Sequence, residues 1–220
     1  DSAIRNLYHC IYYFQKVPDL LLEGRVYKFL GDALLQKKQY SKADFAYRTA
    51  ISYYGQVPNL AEITITYTRI AHIYQVLENY PKNLEYNLMA MHLRERIGQS
   101  QLISSSYLNV GEAYWLLGRK DSGSIYMNKA LKLAEQNNNT FLLEAIYSQL
   151  SAFAKEEKRY KDAFTCFEKC IEYRKKMNKE QDQSSSASID AIRTIRATEI
   201  QNDLQKQKNR IQSLQLQTRR

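Results

Sequence analysis

The residues of this chain with the most chemical potential are the cysteines Cys10, Cys166 and Cys170, the histidines His9, His72 and His92, and a lone tryptophan, Trp115. Cys166 and Cys170 stand four apart, which puts both on one face of a helix. A tetrahedral metal site needs further Cys or His ligands at matching spacing, and none follows. Three is also an odd count, which argues against a disulfide framework. The cysteines are therefore expected in the core as small buried hydrophobes. No histidine sits in an H-E-x-x-H frame, and G-x-S-x-G, a phosphate-cradling glycine loop and a paired-carboxylate motif are all missing from the sequence. The expectation is a chain that is not an enzyme and takes no cofactor and no metal.

Composition narrows the classes further. The 220 residues are 44% hydrophobic and 25% charged, ordinary for a globular protein. No window holds the roughly eighteen uninterrupted apolar residues of a transmembrane helix. Any membrane link is expected through a segment outside this stretch. The net charge is +9, of which residues 181–220 contribute +3 from seven basic and four acidic residues. Basic and acidic residues are interspersed, the pattern of a solvated surface rather than of a nucleic-acid stripe. Only seven glycines and three prolines interrupt the chain, while eighteen tyrosines ask for an explanation.

The elements that position these residues recur every forty positions. Pro18, Pro58, Gly98, Asn138 and Asn178 all hold turn formers. Nine residues on stand Tyr27, Tyr67, Tyr107 and Tyr147, then Leu30, Ile70, Val110 and Leu150, then the small Gly31, Ala71, Gly111 and Ser151. Later columns are Ala50, Ala90, Ala130 and Cys170, then Ile51, Met91, Leu131 and Ile171, reaching back to Cys10 and Ile11. Each unit reads as two helices: Tyr27, Leu30, Leu34 and Leu35 form one apolar stripe, and Ala43, Tyr47, Ala50 and Ile51 a second. The small column marks where two helices cross closely. The fold class is all-α, an α-solenoid of antiparallel helix pairs with a long C-terminal helix. Its parts are a partial second helix (1–17), four repeats (18–57, 58–97, 98–137 and 138–177) and a C-terminal stretch (181–220).

These columns resemble the tetratricopeptide repeat (TPR), with Tyr67-x2-Ile70-Ala71-x2-Tyr74 and Tyr107-x2-Val110-Gly111-x2-Tyr114 in first helices, and Ala43-x3-Tyr47 and Ala163-x3-Phe167 in second helices. The resemblance runs over about residues 1–177. Tyr replaces the family's Trp, and the repeat is longer than usual by a turn or so. Asn83 and Asn87 in the second repeat, and Lys120 and Gly123 in the third, depart from the pattern and are expected to weaken packing there. The chain opens in mid-repeat, so further repeats are expected upstream.

The resemblance implies a protein or peptide bound in a concave groove lined by first helices. The non-core columns facing it would be Arg25, Lys28, Asp32 and Leu35; Thr68, Arg69, His72 and Gln75; Leu108, Asn109, Glu112 and Trp115; and Ser148, Gln149, Ala152 and Lys155. Trp115 is the candidate anchor, with inter-repeat packing as its alternative. His72 is a candidate contact or an ordinary polar surface residue. Lys28 suits the family's carboxylate clamp, but Asp32 would repel a carboxylate, so that clamp is rejected.

After the repeats, 181–188 is a polar linker or helix start, and Ile189, Ile192 and Ile195 are candidates to cover the last repeat. A weak heptad follows (Ala197, Ile200, Leu204, Gln207, Ile211, Leu214, Thr218). It is either a solvated tail or a homodimerising connector. A TPR array ending in such a helix resembles the sensory region of bacterial membrane-anchored two-component or helix-turn-helix regulators. That implies a ligand- or protein-sensing module on the periplasmic face of the inner membrane. Arg219 and Arg220 run against that placement, being on the outer side. The alternative is a cytoplasmic adaptor or peptide-responsive regulator.

Overall fold

The computed structural model describes residues 2–179, apart from 15, 17 and 99 and the side chains of 100 and 101. The expectations for the linker at 181–188, the isoleucine cover and the heptad lie outside the described residues. The chain divides into two compact units, Asp1–Cys170 and Ile171–Arg220, and of the second the described residues 171–179 are helical.

Every described regular element is a helix: α1 (Ser2–Phe14), α2 (Leu20–Gln36), α3 (Tyr40–Gln56), α4 (Leu60–Val76), α5 (Tyr80–Ile97), α6 (Ser100–Leu116), α7 (Lys120–Gln136), α8 (Thr140–Glu156) and α9 (160–179). The first helices thus start at 20, 60, 100 and 140, which is the forty-residue period made visible. Their starts are written locally. Asp19, Asn59 and Asn139, and Asn79 at the start of the second helix α5, accept hydrogen bonds from the N–H groups of the first turn at 3.0 to 3.3 Å.

Their ends are equally specific. Each hairpin turn has three residues, and the middle one is left-handed: Lys38 (φ 58°), Glu78 (φ 55°), Gly118 (φ 75°) and Lys158 (φ 60°). The following N–H then bonds back to the helix, from Gln39 to the Leu34 carbonyl (2.9 Å) and likewise from Asn79 to Tyr74 (2.8 Å). That geometry satisfies the carbonyls a helix end leaves open. So short a turn makes the two helices antiparallel neighbours.

Within unit one, α2 packs on α3, α4 on α5 and α6 on α7, and each pair also packs on the next. The crossings differ in how they achieve closeness. At the first, the Tyr47 ring lies over Gly31, where an added Cβ would come 2.5 Å from a ring carbon. At the third, Gly111 and Gly123 face each other. A Cβ on Gly123 would stand 3.0 Å from the Gly111 carbonyl oxygen, and one on Gly111 3.1 Å from the Met127 amide nitrogen. Gly123 therefore tightens this crossing, contrary to the weakening expected from sequence; two backbones meet where a side chain would hold them apart.

Lys120 does not weaken packing either. It is exposed at the start of α7, with its ammonium 4.8 Å from the Trp115 ring centre and 3.4 Å from a Glu157 oxygen. Asn83 is buried and donates to the Ala71 carbonyl at 2.8 Å, so it bridges the second crossing.

The tyrosines fill the space beside the crossings. Tyr86 stacks on Tyr74 (5.7 Å between centres) and Tyr126 on Tyr114 (5.5 Å), while Tyr27 stacks on Tyr53 (5.6 Å). Such offset rings add about 0.5–1.5 kcal/mol beyond the area they bury. One expectation fails: Cys10 is exposed and Cys166 only half-buried, and Cys170 alone is in the core. Cys10 lies on α1, which packs chiefly against α2.

Candidate binding face

The helices α2, α4, α6 and α8 carry all the candidate groove residues, and the links between them fall into three rows. In the first, between α2 and α4, every charge finds a partner. Lys28 Nζ lies 2.7 Å from Glu62 Oε2, and Arg25 Nε 3.8 Å from Glu62 Oε1. Arg69 Nε lies 3.4 Å from Asp32 Oδ1, which also accepts from the Tyr47 hydroxyl at 2.7 Å. Burial, with help from Asp32, pushes the Tyr47 phenol far above its ordinary range. Asp32 is thus a structural anchor for the tyrosine that covers Gly31.

In the second row, α4 contributes Thr68, His72 and Gln75, α6 contributes Asn109 and Glu112, and α5 contributes Asn83 and Asn87. These seven residues line a cavity of about 130 Å³. The departures at 83 and 87 create it, because those positions hold Ala43 and Tyr47 in the first repeat, where the tyrosine fills the equivalent space. Asn83 and Asn87 are 2% and 6% exposed, so polar atoms are buried where apolar ones are usual. Asn83 Nδ2 is engaged by Ala71, and its buried Oδ1 has no hydrogen-bond partner. Leaving such an acceptor unpaired costs about 1–3 kcal/mol.

Glu112 closes the row. Its Oε1 accepts from Gln75 Nε2 (3.0 Å) and from Gln149 Nε2 (3.3 Å), so one carboxylate joins α4, α6 and α8. Burial raises its pKa above the ordinary carboxylate range, and the two carboxamide bonds pull it only part of the way back.

The third row, between α6 and α8, is apolar. Trp115 is 6% exposed and stacks on Phe153 with ring centres 3.9 Å apart, while its Nε1 donates to Glu156 at 2.9 Å. Trp115 is therefore inter-repeat packing and not an open anchor. Leu108 is likewise buried, and Leu35 packs against the core; Ser148, Ala152 and Lys155 are exposed on α8. The structure thus gathers Thr68, His72, Gln75, Asn109 and Glu112 around one cavity, and ties Arg25, Lys28, Asp32 and Arg69 into a separate ion-paired row. Sequence reasoning missed Asn83 and Asn87 as site residues, although their departure from the repeat was the available signal. Among the described residues no cluster of His, Cys, Asp or Glu could hold a metal, and no helix is long and apolar enough to cross a membrane.

Residues 24–56, 104–137 and 144–177 match the tetratricopeptide repeat. The segment with Asn83 and Asn87 lies between the matches. No curated protein matches the chain by sequence. Several solved structures share its fold. BtubC (BKLC) from P. vanneervenii is 16% identical, with a TM-score of 0.67 over 80% of this chain and 72% of that one. The Rap conjugation gene regulator of the plasmid pLS20, in complex with the Phr* peptide, is 21% identical, with a TM-score of 0.62 over 70% of this chain and 43% of that one. A STAND protein with a tetratricopeptide repeat sensor from Pyrococcus horikoshii is 21% identical, with a TM-score of 0.67 over 80% and 28%. At these identities the likeness is one of fold. The chain spans most of the first of these proteins and less than half of the other two.

Proposed function

We propose that this chain, built of tetratricopeptide repeats, is a non-catalytic module that binds a protein or peptide along the face of α2, α4, α6 and α8. It serves as the ligand- or protein-sensing part of a bacterial membrane-anchored signalling regulator on the periplasmic face of the inner membrane. Pairing of two copies through 181–220 would pass the bound state to an output domain. The observation that carries the binding reading is the second row: a cavity lined by polar groups, with a buried acceptor left unpaired, in the segment that departs from the repeat. A repeat selected for packing alone fills that space, as the first one does with Tyr47. The Rap regulator's complex with a peptide and the tetratricopeptide repeat sensor of the STAND protein support the same reading by analogy of fold.

The binding reading is tested by panning a random peptide library against the chain and titrating the selected peptides calorimetrically. We expect Asn109→Ala to weaken them at least tenfold, and equal affinity for the variant discards the face. The membrane-anchored setting is tested by the coding sequence past Arg220, where an apolar run of about twenty residues is expected. Its absence favours the second reading, a cytoplasmic adaptor. One observation supports that alternative: Cys10 is an exposed thiol, as suits a reducing compartment.

A further inference from the structure

We infer that the cavity between α4, α5 and α6 is a subsite for a primary ammonium group, carried on a lysine side chain or a peptide N-terminus. The inference deepens the binding reading above and rests on it for the ligand's polymeric nature, but not for the chemistry of the subsite.

The argument is one of matching donors to acceptors. The Asn83 carboxamide is fixed in orientation, because its Nδ2 donates to the Ala71 carbonyl at 2.8 Å. Asn83 lines the cavity, and its Oδ1 is a buried acceptor without a donor beside it. Glu112 also lines the cavity, from α6, and both of its carboxamide donors come to Oε1, so neither engages Oε2. The cavity lining contributes no lysine or arginine to pair with this half-buried carboxylate. A ligand that fits must bring several N–H donors and a positive charge.

An ammonium meets both needs. It carries three donors, no acceptor and a compact charge. A guanidinium spreads five donors over a plane and suits bidentate pairing with a carboxylate, but here one oxygen of Glu112 is already doubly engaged. The volume, about 130 Å³, admits the end of one side chain and no more. An incoming carboxylate would meet Glu112 as a like charge and find no lysine or arginine in the lining. The net charge of +9 opposes a cation at long range. At physiological ionic strength, however, that field is screened beyond about 8 Å, so it slows the encounter without deciding the contact.

The test separates the subsite from the peptide reading. Wild-type chain is titrated with n-butylammonium, n-butylguanidinium and n-butanol while the side-chain amide signals of Asn83 and Asn87 are followed by NMR. Saturable shifts are expected with n-butylammonium, at least tenfold weaker with the other two probes. Glu112→Gln should weaken the ammonium response at least tenfold with its melting temperature undiminished. No saturable shift with n-butylammonium, an equal response to n-butanol or to n-butylguanidinium, or an unchanged response in Glu112→Gln overturns the inference. In parallel, an array of capped octapeptides with central Lys, Arg, norleucine or Glu is probed with the same chain. Preference for Lys that vanishes in Glu112→Gln supports the subsite within a peptide site. A positive ammonium titration with no peptide retained keeps the subsite and removes the peptide reading.

Discussion

The α2–α4 row and the α4–α6 row use equivalent helical positions and end in opposite electrostatic states. Position 32 and its equivalents 72 and 112 hold Asp, His and Glu. Asp32 is shared between a tyrosine hydroxyl and an arginine, and its neighbours Lys28 and Glu62 pair at 2.7 Å. Glu112 has only carboxamides for company. The difference originates in the second helices, where Tyr47 fills the first hairpin and Asn87 leaves the second open. A row that satisfies its own charges holds repeats together, and a row that does not has binding capacity to spare.

The comparison can be broken most severely from the far side of the cavity. Gly111→Leu should drive α6 away from α7, because even a Cβ would stand 3.1 Å from backbone atoms. We expect about 3 kcal/mol of destabilisation and several degrees of melting temperature, together with loss of any ligand bound at Asn109 and Glu112. An unchanged melt would remove Gly111 from the crossing.

A smaller effect distinguishes the two crossings directly. Gly31→Ala places a methyl 2.5 Å from the Tyr47 ring and should cost about 2 kcal/mol by thermal or urea unfolding. Position 71 already holds Ala because Asn87 puts no ring there. Equal tolerance at 31 would show that Tyr47 moves aside freely.

The same chemical change should then have opposite signs in the two rows. Glu62→Gln removes the partner of Lys28, whose side chain is 14% exposed, and should destabilise by about 1 kcal/mol. Glu112→Gln should stabilise by a few tenths to about 1 kcal/mol at neutral pH, since it keeps the acceptor and removes a buried charge. The sign follows from linkage. The folded-state pKa of Glu112 is raised by burial, so its favourable contribution is fully present below the unfolded carboxyl pKa and is lost as pH rises through the raised value. The gain in Glu112→Gln should therefore grow with rising pH and vanish below about pH 4. Melting curves of both variants between pH 3 and 8 check this, and parallel curves for wild type and Glu112→Gln would contradict it.

The fold was legible because its signal is steric and repeated. Gly31, Ala71, Gly111 and Ser151 mark the crossings, and Pro18, Pro58, Gly98 and Asn138 mark the breaks between repeats, each read four times over; the fifth turn former, Asn178, lies within α9. The site was half legible. The first-helix columns supplied Thr68, His72, Gln75, Asn109 and Glu112, since facing outward is a matter of helical phase. Phase does not reveal pairing, so Arg25, Lys28, Asp32 and Arg69 looked equivalent to them although their charges are satisfied across the row. Trp115 was misplaced because its position is outward in phase but lies under Phe153, an aromatic where the other repeats hold Ala33, Ile73 and Ala113. Asn83 and Asn87 read as defects because a column rewards uniformity, whereas a binding site is a departure from it.

The hairpin turns have a mechanical corollary. Each joins its two helices through three residues whose middle member is left-handed, so the turn has no slack to absorb a change in length. Removing one residue from 77–79 would rotate α5 about its own axis by about 100°, the angle subtended by one helical residue. Asn83 and Asn87 would swing away from α4 and α6, and apolar neighbours would swing toward water. Chemical identity in those turns is negotiable; their count of residues is the gear ratio that sets which side of each helix faces inward.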